Sequence, residues 1–151
     1  MSTPSLSIII PAHNEAERLP SSLKAVKRFI SSLPFETEVI VVENNSSDGT
    51  AEIVREWMKT MPPLRLISLA QPGKGNAIRT GMLAAQGEYR FMADADFSMP
   101  VEEIRKFLTN GKPLAPVAIA SREAPGSKRI GEPFYRHLIG RIYNFLVRML
   151  V

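Results

Sequence analysis

The sequence predicts an α/β fold: a doubly wound, mostly parallel sheet with helices on both faces. Three observations predict it. Short apolar runs alternate with helical patterns four times between residues 6 and 108, as βαβ units do. The runs are almost continuous in Ile, Val and Leu, as strands buried on both faces must be. A polar loop follows each run, and parallel sheets of this kind bind ligands at the carboxyl ends of their strands.

Leu6–Ile10 is a short β-branched run, with Pro11 expected to stop it and Pro11–Glu15 as the loop beyond. A helix is predicted from Pro20 to Leu33, with Leu23, Val26, Phe29, Ile30 and Leu33 at helical spacing and Pro20 in its first turn. Glu38–Val42 is a second buried strand, and Glu43–Thr50 is nearly all turn and cap chemistry. Asp48 or Thr50 caps a helix reaching about Met58. Leu64–Leu69 alternates more, which puts this third strand nearer an edge. Gln71–Asn76 is a glycine-bearing loop opening a helix over about Asn76–Ala85 that Gly87 ends. Tyr89–Asp94 is a fourth strand, Pro100–Leu108 a short helix with Glu102 and Glu103 in its first turn, and Ala115–Ala120 a fifth strand.

At 151 residues the chain is long enough for one domain with a core. It has no cysteine, which excludes disulfides and Cys-based zinc sites. Residues 1–5 lack the features of a signal peptide, and no apolar run spans a bilayer. Residues 124–151 hold five basic side chains, Lys128, Arg129, Arg136, Arg141 and Arg148, against Glu132. Their balance, 5 − 1 = +4, is the whole net charge of +4. Attraction to phosphate or to an anionic surface therefore belongs to the tail. Residues 123–132 read as a mobile basic linker and 133–151 as an amphipathic helix lying at a membrane interface. The alternative is a core helix whose partner lies in further C-terminal sequence. Nucleic-acid binding is not expected, because the basic residues are interleaved with an apolar face.

The chemistry centres on Asp94 and Asp96. Two carboxylates one residue apart, at a strand end, are hard oxygen donors suited to Mg2+ or Mn2+ with a diphosphate completing the shell. If the chain stays extended there, both point to one face. Alone, the pair also describes a surface turn with two solvated acids. Gly73-Lys74-Gly75 lacks the spacing of a P-loop, and no G-x-G-x-x-G follows the first strand.

Four segments, in order, carry a family resemblance: Ile8–Glu15, Val39–Thr50, Gly73–Ala77 with Gly81, and Phe91–Pro100. Together they resemble the family 2 glycosyltransferases of the GT-A type, within which they are most similar to enzymes that transfer glucose or mannose to dolichyl or polyprenyl phosphate. The resemblance implies a 1–122 nucleotide-sugar domain that is the N-terminal portion of a longer one. It implies that Pro11, His13 and Glu15 hold base and ribose, that Glu43 and Asn44 stand for two acids after the second strand, and that Asp94 and Ala95 face ribose and phosphate. Asp96 would ligate Mg2+ or Mn2+, with Asp94 and Ser98 beside it. Lys74 would hold phosphate or be a solvated loop charge, Arg122 would lie near the sugar phosphate, and Asp48 would be a helix cap. Glu43-Asn44 departs from the usual Asp-Asp, which leaves the choice between UDP and GDP open. The implied activity is inverting transfer of a hexose from a UDP- or GDP-sugar to a polyprenyl phosphate. The alternatives are a saccharide hydroxyl acceptor, or a nucleotide-binding fragment without turnover. The implied location is cytoplasmic, peripheral at the cytoplasmic face of a membrane through 133–151.

Overall fold

A computed structural model describes residues 4–109, 112–121 and 134–150. The chain forms two compact units, Met1–Leu114 and Ala115–Val151. The first contains a four-stranded parallel sheet of β1 (Leu6–Ala12), β2 (Thr37–Asn44), β3 (Leu64–Leu69) and β4 (Tyr89–Met92), in the order β3-β2-β1-β4. Helices α1 (Leu19–Ile30), α2 (Thr50–Met58) and α3 (Lys74–Ala84) connect them. The order reverses at β1, so the crevice of the fold opens between the ends of β1 and β4.

Alternation along the strands sorts side chains to two faces. Ile8, Ile10, Val39 and Val41 pack with Leu19, Leu23, Val26 and Phe29 of α1 and Val54 of α2. Ile9, Ile40 and Val42 pack on the other face with Ala77 and Met82 of α3. The α3 layer sits unusually close, because a Cβ on Gly81 would lie 2.4 Å from Ile9 Cγ2 and 2.9 Å from Val42 Cγ2.

Several elements differ from expectation for identifiable reasons. β1 runs through Pro11 to Ala12. Ile9 faces β4, since its carbonyl accepts from Ala93 N–H. Pro11, two residues on, faces the same side, where β4 has ended at Met92. Its missing N–H therefore breaks no ladder bond. β2 runs on through Glu43 and Asn44, which the sequence assigns to a loop. Gly87 does not end α3, whose cap is Ala85. Gly87 instead permits a close crossing, since a Cβ there would meet Ser7 N at 2.7 Å. Its N–H donates to Ser7 Oγ and to the buried carboxylate of Glu38, which also accepts from the Ser7 hydroxyl and, at 3.0 Å, from the Arg65 guanidinium. The short helix after Pro100 is a 3-10 helix over Val101–Phe107, followed by a small antiparallel pair, β5 (Leu108–Thr109) and β6 (Lys112–Pro113).

The fifth strand expected at Ala115–Ala120 is not formed. That segment is bends and irregular backbone with Val117 and Ile119 exposed. Pro116, the second residue of the run, removes a ladder donor, and β-propensity without a pairing partner does not make a strand. The second unit contains α4 (Phe134–Leu150), with Tyr135, Ile139, Ile142, Phe145, Leu146, Met149 and Leu150 exposed. No described helix is long and apolar enough to cross a membrane. The linker expected at 123–132 lies outside the described residues.

Candidate functional site

The loops after β1 and β2 form one wall, and side chains stitch them together. His13 Nδ1 donates to the Asn44 carbonyl at 2.7 Å, which fixes the tautomer and leaves Nε2 as an acceptor facing Asn14 Nδ2. Asn14 occupies the left-handed region, φ 53°, which asparagine tolerates better than most residues. There its Oδ1 accepts from Ser47 N–H while its own N–H donates to Ser46 Oγ. Glu15 N–H donates to the buried Thr50 hydroxyl and Ala16 N–H to Asp48 Oδ2. Asp48 Oδ1 accepts from Thr50 N–H and from the Thr50 hydroxyl. Asp48 thus ties the start of α2 to the first loop, but neither Asp48 nor Thr50 is the expected cap: the N-cap position is Gly49, in the left-handed region, and it makes no side-chain cap bond. Partial burial pushes its carboxyl upward, but the bonds from Thr50 and Ala16 outweigh that and hold it below its usual pKa.

The opposite wall is the turn after β4 and the start of α3. The extended strand ends at Met92, and Asp94–Phe97 is a turn closed by Phe97 N–H on the Asp94 carbonyl at 3.0 Å. The two acids are therefore brought together by a turn, not by the extended backbone expected from the sequence. Phe97 has φ 42°. The turn is pinned from beneath by Ser22 of α1, a buried hydroxyl donating to the Ala95 carbonyl at 2.6 Å. Asp96 Oδ1 accepts from Ser98 N–H. Asp94 Oδ1 accepts from Lys74 Nζ at 2.6 Å, with the two side chains 49% and 63% exposed.

Between the walls lies an open cleft of about 230 Å3, lined by Pro11, Ala12, His13, Glu15, Asn44, Lys74, Asp94, Ala95 and Asp96. Eight expected site residues meet there; Ala12 is added. Three do not. Glu43 is off the lining, its carboxylate accepting from Ser46 N–H. The cause is the extension of β2, because consecutive strand residues point to opposite faces and Glu43 and Asn44 cannot both face the cleft. Ser98 contributes its backbone N–H to Asp96 and no lining. Arg122 lies outside the described residues.

Asn44 is buried, and its Oδ1 accepts no hydrogen bond among the described residues. Sequence reasoning missed Ser22 and Asn14. The signal for Ser22 was present: a serine set among Leu19, Leu23 and Val26 on the inward stripe of a helix. Asn14 carried none beyond its residue type.

Among the described residues no three His, Asp or Glu side chains gather closely enough to hold a metal ion by themselves. The two neighbouring acids on the cleft are Asp94 and Asp96, and the Oδ2 of each accepts no bond among the described residues. Two carboxylates fit a divalent cation that takes its remaining oxygens from a diphosphate.

Residues 7–146 match the family described as Glycosyl transferase family 2. The dolichyl-phosphate beta-glucosyltransferase of Drosophila melanogaster is 34% identical over 157 residues, which cover 94% of this chain and 48% of that protein. The dolichol-phosphate mannosyltransferase of Pyrococcus furiosus is 32% identical over 136 residues, covering 90% of this chain and 38% of that protein. The mannosyltransferase PcManGT from Pyrobaculum calidifontis, solved in complex with GDP-Man and Mn2+, superposes with a TM-score of 0.54 at 32% identity, over 63% of this chain and 28% of that one. The chain spans about half the length, or less, of these curated relatives. The match takes in every strand end that builds the cleft, and the chain belongs to glycosyl transferase family 2.

Proposed function

We propose that the chain carries the donor site of an inverting glycosyltransferase that moves a hexose from a UDP- or GDP-sugar to a polyprenyl phosphate. One observation carries this reading: in a family 2 chain, two aspartates and a lysine face His13, Glu15 and Asn44 across a single cleft at the strand ends. Pro11 and His13 form the wall against which base and ribose lie. Glu15, whose side chain is 19% exposed and which pairs with Arg18, accepts from base or ribose. The unpartnered Asn44 Oδ1 supports the same placement, since a buried acceptor without a donor costs about 1–3 kcal/mol until something satisfies it. Asp94 and Ala95 face ribose and phosphate. Lys74 donates to the diphosphate, and Arg122 is assigned beside the sugar phosphate.

Asp96, with Asp94, would hold Mg2+ or Mn2+, which when bound supplies positive charge against the departing diphosphate. A phosphate acceptor is already an anion and needs no general base from the chain. The apolar residues exposed on α4, with Arg141 beside them, are assigned to peripheral membrane contact. The relatives' names and the +4 charge of residues 124–151 support a lipid phosphate as acceptor.

The test mixes the chain with vesicles containing polyprenyl phosphate, Mn2+, and labelled UDP-glucose or GDP-mannose. Label entering the lipid phase from one donor supports the proposal. Donor binding without transfer confines the chain to the nucleotide-binding role. Binding of neither donor by the folded chain overturns the reading.

A further inference from the structure

The Lys74–Asp94 pair has a consequence for how the site loads. Asp94 makes a 2.6 Å ion pair to Lys74 Nζ. No other cation among the described residues pairs with either cleft aspartate. The same ammonium that would meet a donor's diphosphate therefore occupies one oxygen, Oδ1, of a carboxylate that would meet the cation. Both side chains are more than two-fifths exposed, so the lysine is free to exchange one anion for another. Asp96 does not complete a set by itself: Ser98 N–H engages its Oδ1, leaving Oδ2, and among the described residues no third acid gathers with the pair.

We infer that Lys74 is a counter-ion that swaps partners, bound to Asp94 in the free protein and to the donor's diphosphate in the complex, so that nucleotide and divalent cation bind cooperatively. Rested on the donor-site reading above, this assigns Lys74 a second role: it keeps the acid pair from holding a cation before a nucleotide arrives. When the ammonium moves to the diphosphate, Asp94 is released to the cation. Coupling of this kind is reciprocal, so the nucleotide raises cation affinity by the same factor as the cation raises nucleotide affinity.

The experiment is calorimetry on the full chain with three titrations: Mn2+ alone, UDP or GDP alone in EDTA, and Mn2+ onto the nucleotide-saturated protein. It is run for the native chain, Lys74→Met and Lys74→Gln, with thermal melts to show that each is folded. Removing the ammonium is expected to tighten Mn2+ alone by about fivefold, the scale of an exposed ion pair of about 1 kcal/mol. It is expected to weaken nucleotide alone and to shrink the coupling factor by about the same fivefold. Lys74→Arg, which keeps the charge, should restore most of the coupling. Mn2+ affinity that is unchanged or weaker in both neutral variants, or an unchanged coupling factor, overturns the inference while leaving the donor site standing. A native chain that binds neither Mn2+ nor nucleotide overturns both.

Discussion

The two walls of the cleft are built differently. The wall from His13 to Thr50 is cross-braced: two loops share side-chain bonds through His13, Asn14, Ser46, Asp48 and Thr50. The wall from Lys74 to Ser98 has one buried side-chain anchor, Ser22 on the Ala95 carbonyl, and above it an exposed ion pair, the Phe97 N–H bond that closes the turn and the Ser98 N–H bond to Asp96. On the proposed reading, the braced wall is preorganised for the part of the donor that does not change during transfer, and the open wall is held by charges that an incoming diphosphate and cation would replace. A site meant to bind and then release a charged leaving group is served by that division.

The contrast can be broken from its strongest point. Thr50→Ala removes the acceptor of Glu15 N–H and a donor to Asp48 at a fully buried position. It should cost about 1–3 kcal/mol in denaturant unfolding and weaken nucleotide binding. A variant that is as stable as the native chain would show that the brace is ornamental. Ser22→Ala, under the opposite wall, orphans one buried carbonyl and should cost about 1–2 kcal/mol. Its sharper readout is Mn2+ affinity in the presence of nucleotide, which should fall more than nucleotide binding in EDTA does.

Acid should act on the braced wall through Asp48. Its carboxyl is held below the value it has in an unfolded chain. A depressed carboxyl contributes stability above the unfolded pKa of about 3.9 and loses it as pH falls through the folded value. Melting temperatures followed from pH 6 down to pH 3 should fall less steeply in Asp48→Asn than in the native chain. The smallest effect is expected at Lys74→Met, where an exposed pair is lost and stability should change by about 1 kcal/mol or less. A larger loss would mean that the open wall leans on that pair for its fold.

The same division explains what could be read from the sequence. β3 matched its expected span because apolar pattern and turn residues agreed at both ends. The placement of the polar loops on one edge followed from parallel topology, and so did most of the cleft lining. What was hidden depended on contacts between distant residues. Pro11 sits inside β1 only because β4 stops two residues short of it. Glu43 leaves the cleft because β2 extends past the length its apolar run suggested. Gly87 serves a backbone crossing over Ser7 that no local pattern records. The residues 115–120 had strand composition and no partner. The ion pair of Lys74 and Asp94, twenty residues apart, could not be inferred from either residue alone.

The account rests on Asp96, with Asp94, holding a cation that holds the donor's diphosphate. Its most direct test is the affinity of UDP and GDP for the native chain and for Asp96→Asn, each with Mn2+ and with EDTA. The account predicts that Mn2+ strengthens binding of one nucleotide to the native chain by about tenfold or more, and that Asp96→Asn removes most of this gain with its melting temperature intact. Equal enhancement by Mn2+ in both proteins would contradict it.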